Sequence, residues 1–120
     1  MTVLTKNVGR GDFVFHRGSV ERIAIEWKED KRDGKGLIPV DLSKWKAKLE
    51  LSCPSQGTTT PWYTSTDVKC CSYGVMFVEI PASTLNIAPW SAYSNGEWRI
   101  LGTSPQGKVE LLAWGYYEIV

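Results

Sequence analysis

The sequence predicts an all-β domain, a sandwich or barrel of about seven or eight short antiparallel strands. Three observations carry this prediction. Apolar and polar residues alternate with period two along most of the chain. Gly, Pro, Ser and Asp cluster between the alternating segments, where turns are expected. Only residues 81–88 fit a helix, and we expect a short helical turn there, with a proline at its start.

Size and charge limit the classes of protein that the chain can represent. Its 120 residues suit a single β-sandwich domain over residues 1–120, with residues 1–11 as an extended N-terminal arm. Fourteen basic and thirteen acidic residues give a net charge of +1, so bulk charge indicates neither nucleic acid nor a membrane surface as partner. The first residues lack the apolar segment of a secretory signal, which predicts synthesis in a cytoplasm.

The N-terminal half is expected to contribute three strands. Residues 13–16 form a short strand, and residues 20–28 form one with Ile23, Ile25 and Trp27 on its inner face. A charged turn over residues 29–36 follows. The alternation is unbroken over residues 45–52, which makes this strand the clearest in the chain. Its apolar face consists of Trp45, Ala47, Leu49 and Leu51, and Lys44, Lys46, Lys48 and Glu50 form the opposite face.

The C-terminal half is expected to contribute four more strands, at residues 62–68, 75–80, 97–103 and 109–120. The inner set consists of Met76, Val78, Ile80, Trp98 and Ile100. Residues 104–107, Ser-Pro-Gln-Gly, have turn chemistry and should join the last two strands as a hairpin. In the helical turn, Leu85 and Ala88 should face the core.

The last strand indicates a protein interface. Its inner residues are predicted to be Leu111, Ala113, Gly115, Tyr117 and Ile119. The opposite face would then carry Leu112, Trp114 and Tyr116, an unusually apolar set for a surface that water contacts. Large exposed apolar patches mark sites of protein association, so these three residues are the candidate interface. The alternative is that the N-terminal arm folds over them.

Two other surface features have a functional and a structural interpretation. The loop aromatics Trp62, Tyr63, Trp90 and Tyr93 could stack on sugar rings, which makes a carbohydrate-binding module the alternative function. The lysines at 44, 46 and 48 could bind an anion or an acidic partner. A solvated sheet face is the favoured interpretation of that row.

Catalytic chemistry is not indicated by the sequence. His16 is the only histidine, so a Ser-His-Asp or Cys-His site would depend on it alone. Cys53, Cys70 and Cys71 are odd in number and lack metal-ligand spacing, which predicts small buried residues rather than disulfides or zinc ligands, with a redox pair at Cys70 and Cys71 as the alternative. We therefore expect no enzyme activity, no metal and no cofactor. The tripeptide Arg10-Gly11-Asp12, which some receptors recognise, is too short to indicate adhesion.

Several segments resemble small domains of bacteriophage virions. They are residues 17–27 (RGSVERIAIEW), 39–45 (PVDLSKW), 75–82 (VMFVEIPA) and the closing hairpin from residue 98. The similarity covers residues 17–120 and is greatest to the N-terminal domain of the phage baseplate upper protein family.

The resemblance implies an immunoglobulin-like antiparallel β-sandwich and a structural role in a phage particle. The chain would be an adaptor or decoration subunit that docks onto tail, baseplate or capsid proteins, in several copies or as a homo-oligomer. It would be made in the cytoplasm of a host bacterium and would then be incorporated into the virion.

Overall fold

The computed structural model describes residues 9–30, 34–53, 60–88 and 90–120. Over these residues the chain is mostly β, in three sheets, which confirms the all-β class. The strands are β1 (Gly9–Arg10), β2 (Phe13–Phe15), β3 (Glu21–Glu26), β4 (Lys28–Asp30), β5 (Leu37–Pro39), β6 (Lys46–Ser52), β7 (Tyr63–Ser65), β8 (Lys69–Cys70), β9 (Val75–Ile80), β10 (Asn95–Thr103) and β11 (Val109–Ile119). A single α-helical turn, α1 (Ala82–Leu85), lies within the predicted helical segment, and a 3₁₀ turn spans Ala92–Ser94.

The larger sheet has the order β1-β11-β10-β6-β7, and β2 also pairs with β11. β10 and β11 form the expected hairpin, closed by hydrogen bonds between Ser104 and Lys108 and from the Gly107 N–H to Ser104 O. β1 and β2, however, run parallel to β11. The prediction of a wholly antiparallel sandwich is therefore wrong at this edge. Parallel partners need a long connection, and the sequence pattern identifies only neighbours that a short turn joins.

The smaller sheet has the order β3-β9-β8, and β4 and β5 form a separate hairpin. The predicted strand at 20–28 is interrupted at Trp27, whose N–H donates to Gly74 O and whose carbonyl accepts from Val40 N. β4 then continues to Asp30, where a solvated turn was predicted. Residues 31–33 of the predicted turn lie outside the described residues.

Both sheets contribute to one hydrophobic core. The buried set includes Ile23, Met76, Val78 and Ile80 from the smaller sheet and Leu49, Leu51, Trp98, Ile100 and Ala113 from the larger one. The inner residues predicted for β9 and β10 are thus confirmed, as is Leu85 of α1. Trp27 and Trp45 are only half-buried and pack edge to face, with ring centroids 5.2 Å apart.

A β-bulge changes the alternation of β11. Ile100 is paired with Ala113 and Leu101 with Leu111, so Leu112 is the extra residue. Leu112 is only 9% exposed and belongs to the core, whereas Leu111 is 39% exposed. The predicted facing of these two leucines is therefore wrong. A bulge adds one residue without any apolar or polar mark in the sequence, and it inverts every facing on one side of it.

Candidate functional site

The outer face of the larger sheet carries an apolar strip along its last strand. We call Val109, Leu111, Trp114 and Tyr116 of β11, with Val14 of the adjacent β2, the outer strip. All of them are exposed except Trp114, which is half-buried. The bulge therefore removes Leu112 from the predicted interface and puts Leu111 in its place. Trp114 and Tyr116 lie on the outer face as expected.

The N-terminal segment, by which we mean residues 9–12, covers one end of this strip. The Arg10 guanidinium lies 4.4 Å from the ring centroid of Trp114 and 5.0 Å from that of Tyr116. The two rings pack edge to face, with centroids 5.7 Å apart. A guanidinium over an aromatic face is attracted by the negative face of the ring. The alternative that the arm folds over this face therefore holds at the Trp114 end, through Arg10 of β1.

Backbone hydrogen bonds hold the segment in place. The Gly11 N–H donates to Trp114 O at 3.2 Å, and Gly11 O accepts from Nε1 of the buried Trp98 at 2.8 Å. Asp12 Oδ1 accepts from the Tyr116 N–H at 2.9 Å and also forms an ion pair with Arg10. These bonds, the one from the Tyr116 amide first, lower the pKa of Asp12. All three residues of the Arg-Gly-Asp tripeptide thus bind the chain's own last strand.

Gly115 makes this docking possible. A Cβ at this position would lie 1.6 Å from Gly11 O, so no other residue fits while the segment is docked. A glycine inside a strand signals a close backbone approach. The sequence carries that signal between Trp114 and Tyr116, but the apolar and polar alternation alone does not indicate a docked segment.

A charged group lies on the same face, next to the strip. Glu50 is only 7% exposed, and its carboxylate accepts from Arg99 Nη2 at 2.6 Å and contacts Lys48 Nζ at 3.3 Å. Arg99 is paired with Trp114 on one side and with Glu50 on the other. Lys44 lies in the turn before β6, so the predicted lysine row is reduced to Lys46 and Lys48 on the strand.

The loop aromatics do not form one open platform. Trp62 stacks on Tyr93 with centroids 5.2 Å apart and contacts Tyr63. Trp62 Nε1 donates to the Tyr117 hydroxyl at 2.7 Å, and that hydroxyl donates to Tyr93 O. Trp62 and Tyr63 are half-buried, whereas Trp90 is 86% exposed. The surfaces that could meet a ligand are Trp90 and the free face of Tyr93.

The three cysteines are free thiols. Cys53 is buried, with Sγ 3.2 Å from Asn95 O and 3.3 Å from the Tyr117 hydroxyl. Burial raises the pKa of Tyr117, and the Cys53 contact adds to the effect. Cys70 and Cys71 are half-buried, and burial raises the pKa of the Cys70 thiol.

His16 is exposed, and its Nδ1 lies 3.3 Å from Glu21 Oε1. Among the described residues, no group of three or more His, Cys, Asp or Glu side chains is placed to hold a metal ion. The same residues include no helix with the length and apolar character needed to span a bilayer.

A scan of the sequence against protein-family models finds no match, and neither does a search of the curated proteins.

Proposed function

We propose that this chain is a non-enzymatic structural protein of a bacteriophage virion, an immunoglobulin-like adaptor or decoration subunit present in several copies. It docks onto tail, baseplate or capsid proteins through the outer strip. The observation that carries the proposal is the exposure of Val109, Leu111 and Tyr116 on a sheet face where, among the described residues, the N-terminal segment contacts the strip only at Trp114 and Tyr116.

The chemistry of the strip suits a protein partner. Interface centres are enriched in aromatic residues and arginine and depleted in other charges. Here Arg10 lies over two aromatic rings, and aliphatic residues extend the surface along β11. Arg10, Trp114 and Tyr116 are held by packing and hydrogen bonds before any partner arrives, which lowers the entropy cost of binding.

The motif resemblance adds the location. The segments that resemble phage virion domains include β3, β9 and the β10–β11 hairpin, which are the elements that build the two sheets and their shared core. Domains of that kind attach one virion component to another, so the proposed destination is the particle.

Composition of purified particles tests the proposal. The phage that encodes the chain is purified, heads are separated from tails, and the chain is quantified in each fraction by mass spectrometry. We expect several copies per particle, confined to one fraction, which identifies the capsid or the tail as its location. A chain found in the infected lysate and absent from washed particles would contradict the proposal.

A carbohydrate-binding module is the second candidate, favoured by the exposure of Trp90. A glycan array tests it, with Trp90→Ala as the variant and Trp114→Ala as the control. Binding that Trp90→Ala abolishes and Trp114→Ala preserves would support this candidate. An array without a hit would remove it.

A further inference from the structure

A cleft of about 600 Å³ opens where the edge of β6 meets the crossover from the larger to the smaller sheet. Its lining comes from Ser43, Trp45 and the start of β6, from Thr66 and residues 68–70, and from the β10–β11 hairpin. This volume lies in the range of about 300–1,000 Å³ that ligand sites occupy. The outer strip reaches the cleft only at Val109, at the end away from the docked N-terminal segment.

The lining of the cleft is positively charged. It contains Lys46, Lys48 and Lys69, and none of the described residues that line it is acidic. Lys48 and Lys69 contact Glu50 and Asp67, which lie outside the lining. No carboxylate of the described residues lies within ion-pair distance of Lys46. Lys46 therefore leaves one positive charge in the lining that no described carboxylate offsets, and this charge favours an anionic ligand.

The cleft also borders an open strand edge. β7 pairs with β6 only at residues 49–51, and within the described chain no strand pairs with that edge of Lys46–Lys48. On this side Leu51 O accepts from the Trp62 N–H. Because alternate residues of a strand direct their backbone groups to the same side, the N–H and C=O of Ala47 point toward the open edge.

The two lysines of the edge are spaced for a particular partner. Lys46 and Lys48 are two residues apart, so they project from the same face at an interval of about 6.6–6.8 Å. Carboxylates on alternate residues of an extended segment have the same spacing. Edge lysines repel basic strands and would lose hydration without a counter-charge against apolar ones, so such an edge selects for an acidic strand.

We infer that this cleft binds an extended acidic polypeptide segment, which pairs with Ala47 through its main chain and with Lys46 and Lys48 through alternate carboxylates. The inference does not depend on a virion role. Its test uses the isolated chain, so its failure would leave the proposed function standing, and the reverse also holds.

Two octapeptides, one alternating Glu and Val and one alternating Lys and Val, are titrated into the full-length chain labelled with ¹⁵N. The backbone amide resonances of the chain are followed by NMR. We expect the Glu-Val peptide to shift the Ala47 and Lys48 amides and to slow hydrogen exchange of the Ala47 amide, and the Lys-Val peptide to do neither. An unchanged Ala47 amide at millimolar Glu-Val peptide would overturn the inference. Inorganic phosphate that reproduces the same shifts would also overturn it, because a small-anion site needs no strand pairing.

Charge-reversal variants distinguish binding in the cleft from non-specific electrostatic attraction between the peptide and the protein. Lys46→Glu should weaken binding of the Glu-Val peptide about five- to tenfold, since one exposed attractive charge contact becomes a repulsive one. Lys44→Glu is the matched control, because Lys44 is equally exposed and lies in the preceding turn, outside the lining. It should change the affinity by less than about twofold. An equal loss in both variants, with both folded by NMR, would assign the attraction to bulk charge and overturn the inference.

Discussion

The two ends of the outer face of the larger sheet differ in how far the described part of the chain covers them. At one end the N-terminal segment docks against β11, with Arg10 over Trp114 and Tyr116 on the outer face and Gly11 against the buried side of Gly115. At the other end, around Lys46 and Lys48, the chain leaves the sheet after Ser65 and a cleft remains. The difference indicates that a neighbouring segment can pair with an edge only where it can approach the backbone of the edge strand closely. Gly115 allows the segment to dock at one end, whereas at the other end β7 stops at Ser65 and no described strand pairs with Lys46–Lys48.

The largest expected loss of stability comes from disrupting the contact between the N-terminal segment and β11. Gly115→Ala should lower the free energy of unfolding by about 3 kcal/mol, the upper part of the range for overpacking, because its Cβ would lie 1.6 Å from Gly11 O. Gly11→Ala is the matched control, since nothing lies within 4 Å of a Cβ there. Urea denaturation measures both. Equal stability of the two variants would mean that the segment is not docked against β11.

Between the two ends, the contribution of the Arg99–Glu50 ion pair to stability can be measured by substituting Arg99. Arg99→Met leaves the Glu50 carboxylate buried without its shortest hydrogen bond, and we expect a loss of about 1–2 kcal/mol in unfolding free energy. Arg22→Met is the control, because Arg22 and Glu79 form an exposed pair and such pairs contribute about 0–1 kcal/mol. A larger loss for Arg22→Met than for Arg99→Met would contradict this assignment.

A smaller loss of stability is expected when the Arg10 guanidinium, which lies over the rings of Trp114 and Tyr116, is removed. Arg10→Ala should cost about 0.5–1 kcal/mol, the range for a cation–π contact at an exposed site. It should also shift the fluorescence of Trp114, measured against Trp114→Phe to isolate that signal. Arg10→Lys, which keeps the charge, should retain part of the contact. Identical spectra for Arg10→Ala and the parent chain would show that Arg10 does not lie over Trp114.

The smallest effect is a pH dependence at the same end. The pKa of Asp12 lies below its ordinary value of 3.8, so its bond to the Tyr116 amide stabilises the fold above about pH 4. The stabilisation is lost as the pH falls through the lowered pKa of the folded state. We expect the Tyr116 amide resonance to follow this titration and Asp12→Asn to abolish it. Asp41→Asn is the control, because the pKa of Asp41 is lowered by Ser43, in a turn remote in sequence from the N-terminal segment. A Tyr116 resonance that still titrates in Asp12→Asn would contradict the assignment.

Much of the fold follows from the period-two pattern, since β9 and the buried faces of β9 and β10 agree with it. The pattern failed where geometry depends on distant chain segments. The facing of Leu112 depends on a bulge opposite β10, and the parallel pairing of β1 and β2 brings together residues about a hundred positions apart.

The candidate site was predictable only in part. Trp114 and Tyr116 lie where the alternation placed them. The role of Arg10 could not be read from its position in a loop-like segment, and the buried Glu50 looked like a solvated residue because it alternates with lysines. Gly115 was the one usable signal of the docked segment, since glycine in an aromatic strand is otherwise unfavourable.

Site-specific photocrosslinking in assembled particles can test whether the outer strip is the docking surface. A photoreactive phenylalanine analogue replaces Tyr116 in the outer strip, and in a second preparation it replaces Ala24, which is exposed on the smaller sheet. We expect a crosslink from position 116 to another virion protein and none of comparable yield from position 24. Crosslinks from position 24 alone would contradict the assignment of the outer strip as the docking surface.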